Sequence, residues 1–223
     1  LIVHSADDSN LKLGDTMTFR AAFLMLVCIA SIPAAHAQET LITGDIEHGG
    51  FGGPRMRFGS VNGETAVYVG GRGGWLINHQ FVIGIGGYGL ANSIDAPVTA
   101  GQWRTYAPGT PYESLEIGFG YGGIELEYIH RWDRLVHLTG SLLIGGGGLE
   151  YRHDDLDAGD SENPSDELFV MEPAIHAEVN VTNWMRLDAG ASYLFVDGVT
   201  LPGLSDDDIG GPGISVVMKF GSF

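Results

Sequence analysis

The sequence predicts an all-β protein, a closed sheet of eight antiparallel strands running up and down. Three observations predict it. Apolar and polar residues alternate with a period of two over much of 42–223, which sends successive side chains to opposite faces of a strand. The connections between these segments differ systematically in length, short at one end and mostly long at the other. Glycine supplies 35 of 223 residues without a G-X-Y period, which excludes collagen and suits crowded, strongly bent strands.

Composition narrows the class. Eleven basic and 28 acidic residues leave a formal charge of −17, the opposite of a nucleic-acid footprint. With 44% hydrophobic residues the chain is too apolar for an acidic disordered polymer. A single cysteine, Cys28, excludes a disulfide scaffold.

The N-terminus reads as an export signal. Met17 opens it, Arg20 supplies the basic region, an apolar run covers 21–34, and Ala35-His36-Ala37 forms an A-x-A cleavage site. Residues 17–37 are therefore expected to be a signal peptide, and 38–223 the mature barrel domain. Residues 1–16 read as an extension from a start placed too early. Val27 before Cys28 disfavours a lipoprotein site. The mature part has no cysteine, consistent with export to an oxidising compartment.

Strands are expected near 42–59, 64–76, 80–92, 113–130, 135–152, 167–181, 185–197 and 212–223. The first is interrupted by Gly49, Gly50, Gly52, Gly53 and Pro54. Asn62-Gly63 is a hairpin signal. In the fourth, the apolar face shifts from Leu115, Ile117, Phe119 and Tyr121 to Ile124, Leu126 and Tyr128, so a bulge is expected at Gly122-Gly123. The sixth is the clearest: Phe169, Met171, Pro173, Ile175 and Ala177 oppose Val170, Glu172, Ala174, His176 and Glu178. Short links at 77–80, 131–134 and 182–184 share one end; 93–112, 153–166 and 198–211 are long and share the other. No mature segment has 18 consecutive apolar residues, so any crossing of a bilayer must be by strands. In hydrocarbon each backbone N–H and C=O needs an internal partner, which forces the sheet to close. An eight-stranded antiparallel up-and-down transmembrane β-barrel is the expected fold. Phe223 directly after the last strand fits that expectation. Trp75, Trp132 and Trp184 are expected in an aromatic girdle at the short-turn end, with Tyr88, Tyr112, Tyr151 and Phe195 near the opposite rim.

The stretches Gly70–Leu90, Val181–Tyr193, Leu201–Ser205 and Met218–Phe223 resemble a family of small exported β-barrel proteins of Gram-negative bacteria, described as uncharacterised outer-membrane barrels. The resemblance covers most of 49–223 and implies an outer-membrane location. It implies no activity, because no catalytic or binding residues transfer with it. In size and architecture alone the chain is similar to OmpA- and OmpX-like barrels.

Motifs that suggest chemistry have simpler readings. Gly84-Ile85-Gly86-Gly87-Tyr88-Gly89 matches G-x-G-x-x-G, but Ala91–Pro97 behind it reads as loop where a dinucleotide site needs a helix. Asp154, Asp155, Asp157, Asp160, Asp206, Asp207 and Asp208 are candidate Ca²⁺ ligands by their hard oxygens. Asp166 stands where an EF-hand starting at Asp155 needs glutamate, so these acids read first as solvated loops. If lipopolysaccharide lies alongside, they could share its bridging cations. His176 as base, Asp188 as orienter and Ser192 or Ser141 as nucleophile form a conceivable catalytic set. The simpler reading is a polar network inside the barrel, Glu172, His176, Glu178, Arg186 and Asp188, with Glu178 opposite Arg186 and His176 opposite Asp188. Trp103, Arg104 and Tyr106 are the candidate surface-contact patch.

The expected function is therefore non-enzymatic, structural or surface-interacting. The alternatives are a lipid-modifying enzyme, or a carrier of a small apolar ligand or narrow channel. No cofactor is expected. Expected partners are outer-membrane lipids, the barrel-assembly machinery during insertion, and a surface partner at the long loops, without nucleic acid.

Overall fold

The computed structural model describes residues 46–106, 115–153 and 165–223. The expected extension and signal peptide, Tyr112 and the acids 154–160 lie outside the described residues. Eight strands follow in order: β1 His48–Val61, β2 Glu64–Ile77, β3 Phe81–Leu90, β4 Leu115–His130, β5 Val136–His153, β6 Ser165–Asn180, β7 Met185–Asp197 and β8 Gly211–Ser222. Each pairs antiparallel with its neighbours, and β8 returns to β1, closing the barrel. Closure leaves no sheet edge unpaired. Among the described residues of the long connections are two short helices, α1 Ala100–Tyr106 and α2 Asp206–Ile209.

The β1–β2 hairpin turns through Asn62 and Gly63, both at positive φ (49° and 77°), as a two-residue turn matched to strand twist requires. Pro54 and Pro173 lack an N–H, and pairing breaks beside each: β1–β8 skips Gly53 and Pro54, and β6–β7 skips Glu172 and Pro173. The expected bulge at Gly122-Gly123 is absent. Pairing runs unbroken from Gly122↔Gly146 to Gly123↔Gly145 and from Gly122↔Gly87 to Gly123↔Gly86. Odd-numbered residues of β4 face inward throughout, from Leu115 and Tyr121 to Glu125 and Ile129. What changes at the glycines is the lumen, from apolar to charged, so the apolar residues move to the outer wall without a change of register. Glycine is needed here because the strands nearly touch: a Cβ on Gly145 would lie 2.0 Å from the Gly122 carbonyl oxygen.

The lumen has three layers. At the loop end, Ile94, Val98 and Trp103 from the β3–β4 connection and Leu201 and Ile209 from the β7–β8 connection fold into the mouth. They join Tyr68, Ile117, Phe119, Leu149, Tyr151 and Leu168 in one apolar core. Asp166 clamps this plug, accepting from Thr200 N (2.6 Å), Thr200 Oγ1 (2.5 Å) and Leu201 N (2.8 Å). Helix α1, read from the sequence as loop, begins with a capping box. Gln102 N–H donates to Thr99 Oγ1 (3.4 Å), and Gln102 Oε1 accepts from Thr99 N (2.9 Å). At the turn end Phe51, Leu76, Val82 and Ile129 make a second apolar plug, against which Trp132 and Phe223 pack. Charged residues fill the waist between the plugs.

The outer wall is apolar. Ile85, Ile175 and Ile214 expose 70%, 69% and 63% of their surface, with Ile83, Ile124, Leu126, Leu138, Phe169 and Val216 also exposed. Trp75 and Trp184 point outward at the turn end, Trp184 stacked on Phe220 at 6.1 Å. Trp132 departs from the expected girdle: it stacks on His79 (4.2 Å) beside the turn-end plug. Tyr88 and Tyr151 also depart from the expected rim, both being buried inside the barrel. Phe195 packs on Tyr193 at 4.5 Å, close to the loop end.

Candidate functional site

Strand alternation places the waist residues. Arg55 and Arg57 come from β1, Arg72 from β2, Glu125 and Glu127 from β4, His137 from β5, Glu172, His176 and Glu178 from β6, Arg186 and Asp188 from β7, and Ser215 and Lys219 from β8; all are buried. Arg55, Arg57, Arg72, Arg186 and Lys219 face Glu125, Glu127, Glu172, Glu178 and Asp188, five cations against five carboxylates. A chain with a formal charge of −17 thus keeps its waist balanced, as burial demands, since an unpaired interior charge costs several kcal/mol.

The pairs form a continuous lattice. Arg55 Nη2 donates to Glu172 Oε1 at 2.6 Å, and Arg57 Nε lies 3.1 Å from the same oxygen. Tyr121 donates its hydroxyl to Glu172 Oε2 at 3.0 Å. Arg72 bonds Glu127 through Nη2, and its Nε lies 3.0 Å from Glu125 Oε2, out of line for a hydrogen bond. Lys219 Nζ bonds Glu178, meets Glu127 Oε1 at 2.6 Å and lies 3.2 Å from Asp188 Oδ2. Glu178 Oε1 accepts from Arg186 Nη1 and His137 Nε2, each at 2.9 Å. Aromatic faces support the cations: Arg55 lies 4.8 Å over Tyr88, Arg57 5.3 Å over Tyr68, and Arg186 4.1 Å over Phe223.

Glu172, His176, Glu178, Arg186 and Asp188 all lie in this lattice, but their strand register differs from the expected one. Glu178 pairs with Asp188, His176 with Gly190, and Arg186 with Asn180. The turn at 181–184, closed by Val181 N–H and Thr182 N–H to Met185 O (both 3.0 Å), shifts the pairing by two residues. Arg186 still reaches Glu178 along the diagonal. Sequence reading missed Arg55, Arg57 and Arg72. Their signal was present: Phe51, Arg55 and Arg57 alternate with Gly52, Met56 and Phe58, and Arg72 lies four residues from both Tyr68 and Leu76. Glycine and Pro54 obscured it.

The catalytic set is rearranged as well. His176 Nε2 lies 3.0 Å from Ser215 Oγ, not from Ser192 or Ser141, and Nδ1 lies 3.7 Å from Asp188 Oδ1. Ser192 Oγ instead accepts from Arg57 Nε at 3.2 Å. His176, Asp188 and Ser215 are only 1%, 0% and 2% exposed. This group lies buried between the two plugs, and among the described residues no open path leads to Ser215, whereas a general base must come within hydrogen-bond reach of the proton it takes.

The remaining candidates lie at the loop end. Asp206 Oδ1 accepts from Gly198 N (3.1 Å) and Val199 N (2.9 Å), and Asp208 Oδ2 accepts from Ser205 N (2.9 Å) and Oγ (2.6 Å). Asp207 is exposed on α2. Among the described residues no group of three His, Cys, Asp or Glu is placed to hold a metal. Trp103 is not a surface contact: it is fully buried, 6.1 Å from the Tyr151 ring, because the mouth of the barrel offers its indole an apolar socket. Arg104 is exposed; the side chain of Tyr106 lies outside the described residues.

No protein-family model matches the chain, and no curated protein matches its sequence. Solved structures are similar in shape. The N-terminal β-barrel domain of Pseudomonas aeruginosa OprF aligns at 7% identity and TM-score 0.47, over 78% of this chain and 96% of that one. Neisserial surface protein A aligns at 12% and 0.45, over 80% and 97%. Ail, the attachment invasion locus protein of Yersinia pestis, aligns at 12% and 0.43, over 78% and 97%. At such identities no residue role passes to this chain.

Proposed function

We propose that the chain is a non-enzymatic outer-membrane barrel of a Gram-negative envelope, which stabilises the membrane and offers its loop end to a surface partner. One observation carries the reading: the distribution of polarity is inverted relative to a protein in water. Isoleucine, leucine, valine and phenylalanine cover the outer wall, while five cations and five carboxylates are enclosed in the waist. A protein in water would expose those charges; a barrel in hydrocarbon cannot. The filled waist and two plugs argue against conduction, as eight strands leave room for little beyond side chains. Exposed Glu64, Asp95, Asp197 and Asp207 make the loop end acidic, suited to cations shared with neighbouring anionic lipid.

The test is expression in a Gram-negative host, separation of the membranes, and an alkaline wash. The barrel is expected in the washed outer membrane, with faster gel mobility unboiled than boiled and no conductance steps in planar bilayers. Release by the wash overturns the membrane assignment, and discrete conductance steps overturn the closed lumen.

A further inference from the structure

The turn end holds a second polar feature, which meets the waist lattice at Arg186. A pocket of about 260 Å³ opens between the β4–β5 and β6–β7 turns, lined by Trp132, Asp133, Asn180, Arg186 and Phe223 among others. Its volume is just below the roughly 300 Å³ at which ordinary ligand cavities begin, the size for one residue-sized molecule. Arg186 lies on the floor, with 4% of its side chain exposed. It uses one N–H on Glu178 Oε1 and rests its guanidinium face 4.1 Å over the Phe223 ring. Arg186 shares Glu178 with Lys219 and His137 and has no second carboxylate partner among the described residues. A guanidinium fixed in this way presents its remaining edge for a planar anion such as a carboxylate.

The wall supplies the opposite sign. Asp133 is exposed at the mouth, and its only ion-pair neighbour among the described residues is Arg134 at 4.0 Å. The wall is rigid: Asn180 Nδ2 donates to Trp132 O (3.0 Å) and Arg134 O (2.8 Å), tying β6 to the opposite turn. Trp132, braced by His79, and Phe223 provide apolar surface for a small side chain. We propose that this pocket binds a small zwitterion of the amino-acid class, free or as a short peptide, with its carboxylate on Arg186 and its ammonium on Asp133. The site lies at the turn end of the barrel and does not depend on the membrane assignment.

The test uses the full-length barrel folded in detergent micelles. The Trp132 indole ¹⁵N–¹H resonance, assigned with Trp132→Phe, is followed while alanine, alanyl-alanine, N-acetylalanine and alaninamide are added. A saturable shift with alanine or alanyl-alanine is expected, and whichever binds tighter distinguishes a free amino acid from a peptide. Each single-charge control is expected to bind about tenfold more weakly. Asp133→Asn alters an exposed residue and leaves folding intact. It is expected to weaken alanine by about tenfold and leave N-acetylalanine unchanged. No saturable shift by roughly 10 mM alanine or alanyl-alanine overturns the site. Equal binding of the zwitterions and the controls also overturns it. Neither result bears on membrane insertion, which fractionation tests separately.

Discussion

Lys219 on β8 and Glu127 on β4 meet across the barrel, Nζ to Oε1 at 2.6 Å, although 92 residues separate them in sequence. Three strands lie between them in either direction around the ring, so the pair is a strut across the full width of the lumen. Because the same Nζ also contacts Glu178 and Asp188, the strut joins three strands besides its own. Lys219→Met is expected to leave one negative charge uncompensated in the waist, most directly at Asp188, and destabilise the barrel by about 3–5 kcal/mol. Urea unfolding in lipid vesicles measures it. An unchanged midpoint would show that the strut contributes nothing.

Trp103 tests the loop-end plug. Trp103→Ala is expected to cost about 3–5 kcal/mol, the usual loss for a buried large aromatic. Arg104→Ala, one residue away and exposed, is expected to stay within about 0.5 kcal/mol. Melting of the two variants side by side separates a plug residue from a surface one; equal melting temperatures contradict the burial.

Asp166 tests the clamp on that plug. Asp166→Ala removes the acceptor for Thr200 and Leu201 and is expected to cost about 2 kcal/mol, the scale for a hydrogen-bonded charged group. Amide hydrogen exchange at Thr200 and Leu201 should accelerate by more than tenfold, while waist amides remain protected. Uniform acceleration would mean that the clamp is not local.

Ile124 tests the environment of the outer wall. Ile124→Lys places a charge on an exposed position of β4. In a bilayer it is expected to cost about 2–4 kcal/mol near the midplane, and in water almost nothing. Comparing unfolding in vesicles with expression level and solubility decides between them.

Alternation alone exposed β5 through β8 and which side chains share a face, because a period of two is a local property of the backbone. It therefore identified Glu172, His176, Glu178, Arg186 and Asp188 as neighbours on one wall. It placed Trp103 outside and a bulge at Gly122-Gly123, since no local pattern records that a loop folds back into the mouth or that the lumen changes polarity halfway along. Arg55, Arg57 and Arg72 were hidden by Pro54 and the surrounding glycines, which weaken alternation where strands approach most closely.

From the amino acids by themselves came the strand number, the hairpin at Asn62-Gly63, the closed topology and the polar lumen. Only the tertiary structure decided the register of β6 against β7, the partner of His176, the strut from Lys219 to Glu127 and the socket of Trp103. The physical reason is range. Strand pattern and turn chemistry act within a few residues. Which charges pair across a narrow barrel depends on turn length, strand stagger and closure of the ring, and those are set only when β8 meets β1.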